Sequence, residues 1–254
     1  TWGDAQHIWL IPSARWKNSI RGAESMDLSE VTALLDPKPL QLEMGYARLP
    51  SGGLHVAVRT DMPGFTGEML AWWVRWRCDT QKYIWWHPID HTYSSWQGNL
   101  SDDTHIGSEH VVTEYFSGQP ADDLVIQFRD PSEFFDEDAY SRARESGAVS
   151  GVVVGRLGVT HNPPRLPDGR VLGGRLLHIA RDTEWGMALR SHFFIGHDLE
   201  TLGQTAEQIA AQATVDFGQG LLQHAYDEFT FLSRFLPSLY VAENRDVSPP
   251  RAPW

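Results

Sequence analysis

The stretch TAEQIAAQATVDFGQGLLQHAYDEFTFLSRF (residues 205–235) decides the fold. It is rich in Ala and Gln, holds no proline and stops short of Pro237, so it predicts one long helix from Thr205 to about Phe235. Within it Phe217, Leu221, His224, Glu228, Leu232 and Phe235 follow steps of three and four and share one face. An imidazole and a carboxylate thus sit on an otherwise apolar stripe. Burying a lone carboxylate costs several kcal/mol, and a metal held jointly by residues i and i+4 would supply the missing counter-charge. The competing reading of His224 and Glu228 is a hydrogen-bonded pair or a solvated rim.

Working outward from the helix, the preceding chain reads mainly as strands. Val152 to Val159, Arg175 to Ala180 and His192 to Ile195 are β-branched and apolar runs, and Tyr83 to Phe128 carries shorter ones between Gly, Asn, Asp and Pro. A strand from Leu54 to Arg59 feeds a helix from Thr66 to Arg77, and a short helical pattern lies at Leu28 to Leu35. Asp130 to Glu145 is an acidic loop or helix, and Asn162 to Gly174 a surface loop. The expected class is α+β, with a curved antiparallel sheet around the long C-terminal helix. The expected organisation is an N-terminal extension (1–54), a main domain (55–240) and a C-terminal tail (241–254) whose end, Ser248 to Trp254, is Pro-rich and loose.

Composition bounds the function. A formal net charge of −12 disfavours nucleic acid and anionic membrane surfaces as partners, since both need clustered Lys and Arg. No run approaches the roughly 18 apolar residues of a membrane span, and Thr1 to Asp4 lacks a signal pattern, which makes the cytoplasm the expected compartment. The single cysteine, Cys78, excludes an internal disulfide and a cysteine zinc site, so any metal must use His and carboxylate ligands. There is no Gly-Lys-Ser/Thr phosphate loop, and Gly147-Ala148-Val149-Ser150-Gly151 misses the nucleophile-elbow spacing.

Two further segments carry chemistry. Tyr83-Ile84-Trp85-Trp86-His87-Pro88-Ile89-Asp90-His91 packs two histidines, a carboxylate and a phenol into nine residues, and Pro88 biases His87 away from helix, so a strand end or loop beside a cavity is expected. Asp90 could orient a histidine ring. In the predicted strand Gly107 to Phe116, alternation places His110, Val112, Glu114 and Phe116 on one face and Glu109, Val111, Thr113 and Tyr115 on the other. Glu114, between Val112 and Phe116, is a ligand, a catalytic acid or half of an ion pair, with Glu109 its rival. Trp72, Trp73, Trp76, Trp85, Trp86 and Trp96 suit either a packed core or the walls of a pocket for a flat aromatic ligand.

Together these segments resemble the family of diacetylphloroglucinol and phloretin hydrolases. The likeness runs from Gly64 to Pro237 and rests on Trp72-Trp73-Val74-Arg75-Trp76, Tyr83 to His91, His224-Ala225-Tyr226-Asp227-Glu228 and Phe235-Leu236-Pro237. It implies a helix-grip (Bet v 1-like) fold with a small N-terminal extension. It also implies one Zn²⁺ per chain held by His91, Glu114, His224 and Glu228, with His87 the fallback for His91. The ligand set also suits Fe²⁺, Mn²⁺ or Co²⁺. The implied reaction is a retro-Claisen hydrolysis of the bond between an acyl group and a polyhydroxylated ring, on a small phenolic ketone. In it Tyr83 hydrogen-bonds a ring hydroxyl, Glu114 is counted among the catalytic groups, and His178, or failing it His161, moves the proton. Trp72 and Trp76 are the expected substrate walls. Position 94, where the family leads one to expect an amide, is Ser94, which bears on the preferred ring substituents. A homodimer is compatible with the sequence. The rivals are a metal-free binding protein for an aromatic or polyketide ligand and a hydrolase or cyclase of a related 1,3-diketone.

Overall fold

The computed structural model describes residues 25–247 apart from 117 and 119. The expectations for Thr1 to Asp4 and for the Ser248–Trp254 tail lie outside the described residues. Eight strands form one fully antiparallel sheet: β1 Gly45–Arg48, β2 Leu54–Pro63, β3 His91–Gly98, β4 Ser108–Glu114, β5 Asp122–Phe128, β6 Gly151–Gly158, β7 Gly174–Thr183 and β8 Gly186–Ile195. Their spatial order is β1-β2-β8-β7-β6-β5-β4-β3. Among the described residues five α-helices accompany them: α1 Gly67–Arg75, α2 Thr80–Trp86, α3 Glu137–Glu145, α4 Ala206–Gln212 and α5 Val215–Glu243. The class is mixed α and β, as expected.

One helix bridges both ends of this sheet. α5 packs on β1 and β2 at one edge, while its Phe217 and His224 meet Phe116, just past β4, near the other. Strands at opposite ends of a flat eight-stranded sheet would be about 34 Å apart, at roughly 4.8 Å per step, and a helix is only about 10–12 Å across. The sheet must therefore curl round α5. Gly220 permits the close approach, since a Cβ there would lie 2.7 Å from the Phe116 carbonyl oxygen.

The principal core lies inside the curl, where Leu54, Val56, Val58, Val153, Leu176, Leu189 and Phe193 face Leu221, Ala225, Phe229 and Leu232 of α5. A second core covers the outer face of the sheet, with Val152, Val154, Leu177, Ile179 and Phe194 under the 3-10 turn Leu28–Leu35 and α3. Arg190 of β8 ties the N-terminal segment down through the carbonyls of Leu34, Asp36 and Lys38 and the carboxylate of Glu43.

Besides β1, which joins the sheet from within the stretch read as an N-terminal extension, two elements differ from the sequence reading. The long helix is broken at Ala213–Thr214: Thr214 caps α5 by accepting from the Phe217 amide at 3.1 Å, and the Ala213 carbonyl is taken by Arg48 at 2.6 Å. α5 then runs through Pro237 to Glu243, because a proline in a long helix forfeits one hydrogen bond, which the packing of Leu236 and Tyr240 into the core offsets. The second difference is α2. Its aromatic residues read as strand, yet Asp79 caps a helical turn by accepting from the Lys82 amide at 2.9 Å, and the helix ends at His87, ahead of Pro88.

Under the outer core, His55 and His192 are fully enclosed and share a 2.9 Å hydrogen bond. Burial holds His55 neutral down to about 4 and His192 well below its usual range. The unfolded chain therefore takes up these protons first, so their stabilisation is complete above about pH 6.5 and is lost as the pH falls towards 4. From pH 7 to pH 5 we expect His55 alone to contribute roughly 2 kcal/mol of destabilisation. Urea titrations at the two pH values check this: His55→Gln should lose that much less than the parent, and equal losses would contradict the account.

Candidate metal centre and cavity

Three elements bring four donors close together. β3 and β4 pair with His91 opposite Glu114, and alternation along β4 turns His110, Val112 and Glu114 inward. α2 seats Tyr83 beneath them, its ring stacked 3.6 Å from that of His91. From the far side α5 contributes His224 and Glu228, one turn apart. All of these side chains are buried.

The His91 Nε2 lies 3.4 Å from His224 Nε2, 3.4 Å from Glu114 Oε2 and 3.8 Å from Glu228 Oε2, and His224 Nε2 lies 3.7 Å from Glu114 Oε2. Donors about 2.0–2.2 Å from a common tetrahedral centre stand about 3.3–3.6 Å from one another. His91, His224 and Glu228 form a group whose ligand atoms all lie within 4.8 Å of one another, and Glu114 stands beside the two imidazoles, so these residues could hold a zinc-sized ion. The remaining ring nitrogens are held from behind: His91 Nδ1 by the Tyr83 carbonyl at 2.9 Å and His224 Nδ1 by Asp90 Oδ2 at 3.1 Å. Tyr83 donates its hydroxyl proton to Glu114 Oε2.

The electrostatics also call for a cation. Burial pushes Glu228 up to about 8 and raises Glu114. Burial opposes protonation of His224, yet Glu114, Asp90 and Glu228 together lift it to about 9. His91 is held well below its usual range by burial and by His224. Two buried carboxylates beside two imidazoles are thus short of positive charge, which a divalent ion supplies.

His87, the fallback for His91, stands elsewhere. Its Nδ1 accepts the Asp90 amide at 3.0 Å, its ring stacks on that of His224 at 4.9 Å, and its Nε2 is 3.6 Å from Asp90 Oδ2. With Asp90 and the other nitrogen of His224 it makes a second, three-membered group of donors. Glu109 points outward, as alternation requires, and is bound by both terminal nitrogens of Arg165 at 2.6 and 2.9 Å.

Beside the four donors, between the curled sheet and α5, lies an aromatic cavity. Tyr83, His110, Glu114, His178, His224 and Glu228 are its polar lining, and Trp73, Trp86, Trp96 and Phe128 are among its walls. His178 Nδ1 is 2.8 Å from Ser191 Oγ, and burial holds the ring neutral down to about 3. Four expected substrate contacts are not on this lining. Trp72 and Trp76 stack on each other at 5.0 Å, and Trp72 meets Tyr240, because the inward face of α1 is that of Leu70, Trp73 and Val74. Ser94 turns back to the Cys78 carbonyl and to His110, both at 2.8 Å. His161 sits on the outer loop, 2.9 Å from the Val112 carbonyl. His110, Trp73, Trp86 and Trp96 take their places. Alternation with Glu114 was the available signal for His110; nothing local distinguished among the tryptophans.

Among the described residues no helix is long and apolar enough to cross a membrane. The family model described as DAPG hydrolase PhiG domain matches residues 26–241. The chain is 26% identical over 238 residues to a 2,4-diacetylphloroglucinol hydrolase of Pseudomonas protegens, covering 84% of this chain and 72% of that protein. It is 27% identical over 217 residues to a phloretin hydrolase of Eubacterium ramulus, covering 80% and 73% respectively. Among solved structures, protein Ms6760 of Mycobacterium smegmatis matches at a TM-score of 0.42 with 11% identity, over 77% of this chain and 98% of that one.

Proposed function

Because the chain belongs to the DAPG hydrolase PhiG domain family, we propose that it is a zinc-dependent hydrolase that cleaves the carbon–carbon bond between an acyl group and a polyhydroxylated aromatic ring. The observation that carries this reading is the gathering of His91, His224 and Glu228, with Glu114 beside the two imidazoles, at an aromatic cavity that Glu114, His224 and Glu228 line. The curl of the sheet round α5 supports a helix-grip architecture. The named relatives, a diacetylphloroglucinol hydrolase and a phloretin hydrolase, favour an acylphloroglucinol-like or phloretin-like substrate.

In this reading His91, Glu114, His224 and Glu228 hold the ion, and Asp90 and the Tyr83 carbonyl fix the two imidazoles. The bound ion supplies a Lewis acid for the acyl carbonyl and for water. The hydroxyl of water ends on the acyl carbon, the bond from that carbon to the ring breaks, and a proton ends on the ring carbon. The products are a carboxylic acid and the deacylated phenol. A polyhydroxylated ring can leave in this way because it can take a proton at carbon as a β-diketone equivalent. Tyr83, its own proton given to Glu114, keeps oxygen lone pairs with which to accept a ring hydroxyl. His178, neutral, facing the cavity and steadied by Ser191, takes a proton from the water that is split and passes it to the ring carbon. Trp73, Trp86 and Trp96 exclude water and flank the ring.

Incubation with a monoacylphloroglucinol and with phloretin tests the reading. We expect one equivalent of acid per equivalent of free phenol, loss of turnover on chelation and its return with zinc. Binding of both compounds without cleavage, in zinc-reconstituted protein, would leave a binding protein instead.

A further inference from the structure

His110 lines the cavity and has no part in the chemistry above. Its hydrogen-bond role is fixed by its neighbours. The Cys78 carbonyl receives two donors, the Trp96 indole N–H at 3.0 Å and the Ser94 hydroxyl at 2.8 Å. Ser94 has a single proton, and that contact uses it, since two oxygens 2.8 Å apart need a hydrogen between them. Ser94 Oγ can then only accept from His110 Nε2, also 2.8 Å away. His110 therefore carries its proton on Nε2, and burial keeps the ring neutral down to about 3. Its Nδ1 is a bare lone pair without a partner among the described residues. Unlike the indole nitrogens of Trp73 and Trp86, it is not sealed within the packing. The ring cannot swing away, being stacked on Trp96 at 4.1 Å and edge-on to Tyr83 at 5.0 Å.

We propose that His110 is a specificity-determining residue whose Nδ1 accepts a hydrogen bond from the substrate's ring hydroxyl para to the acyl group, with Ser94 as the positioning residue that fixes its tautomer. The substrate class rests on the hydrolase reading; the acceptor does not. Tyr83 links the two ends of the site, its ring 3.6 Å from that of His91 and 5.0 Å from that of His110. We place the acyl carbonyl at the His91 end and the far side of the ring at His110. A free hydroxyl there satisfies the lone pair. An ether oxygen cannot donate and leaves two acceptors facing each other in a dry pocket.

The tautomer is measured first, by ¹⁵N NMR of the imidazole in the zinc-reconstituted protein, with His110→Phe assigning the signal. Protonated Nε2 and bare Nδ1 are expected in the parent, and a proton on Nδ1 overturns the proposal. Binding is then followed by tryptophan fluorescence for an acylphloroglucinol and its para-O-methyl ether. The parent should prefer the free phenol by about 10- to 100-fold, and His110→Phe should bring the ratio near unity with zinc content unchanged. A parent without the preference, or a variant that keeps it, overturns the proposal, and if the variant does not fold the parent's tautomer and preference decide. The preference without cleavage of either compound would sink the hydrolase reading and leave the acceptor standing. Cleavage of both at equal kcat/KM would do the reverse.

Discussion

Glu228→Ala is expected to release the metal and to lower kcat/KM by at least about 10³-fold, several kcal/mol of transition-state stabilisation. The carboxylate is buried one helical turn from His224, and burial, with Glu114 and Asp90 nearby, pushes it up to about 8. Removing it leaves three of four donors and subtracts one of the two charges that hold the ion. The sign of the stability effect is also fixed. Without metal, the burial of Glu228 is offset only in part by His224, so the variant should melt at or above the temperature of the chelated parent. The zinc-loaded parent should melt above both. Elemental analysis and thermal melts check these. A variant that keeps stoichiometric zinc would remove Glu228 from the site.

His178→Phe is the second large effect. The substitution keeps an aromatic ring against Phe193 and Phe229, which meet the imidazole edge-on at 5.7 and 4.9 Å, and removes only the nitrogens. If His178 carries the proton to the ring carbon, kcat should fall by about 10²- to 10⁴-fold. Zinc content should not change, since none of the four converging donors lies on β7. Single-turnover kinetics beside metal analysis makes the distinction, and an unchanged kcat would assign the proton to another group.

The parts of the site that were legible in the sequence are those governed by local periodicity. Steps of three and four put His224 and Glu228 on one stripe, and alternation put Glu114 with Val112 and turned Glu109 away, and these side chains lie as those periods require. The rest depended on non-local packing. The run Tyr83-Ile84-Trp85-Trp86 has the composition of a strand, and only its cap, Asp79, marks the helix it forms. Trp72, Trp73 and Trp76 are adjacent in sequence, and which of them meets the cavity is set by how α1 lies against β6, β7 and α5. Position 94 mattered, but through His110 and the Cys78 carbonyl, sixteen residues away in either direction. No local pattern encodes such a relay.

The central claim is that four side chains from two strands and one helix form a single zinc site. The most direct measurement is elemental mass spectrometry of the purified chain, beside His91→Ala, Glu114→Ala, His224→Ala and Glu228→Ala after zinc reconstitution. The account predicts about one zinc per chain in the parent and loss of it in each variant, with His87→Ala still loaded. A well-folded parent that takes up no zinc, or one that loses it with His87→Ala and keeps it with His91→Ala, would contradict the account.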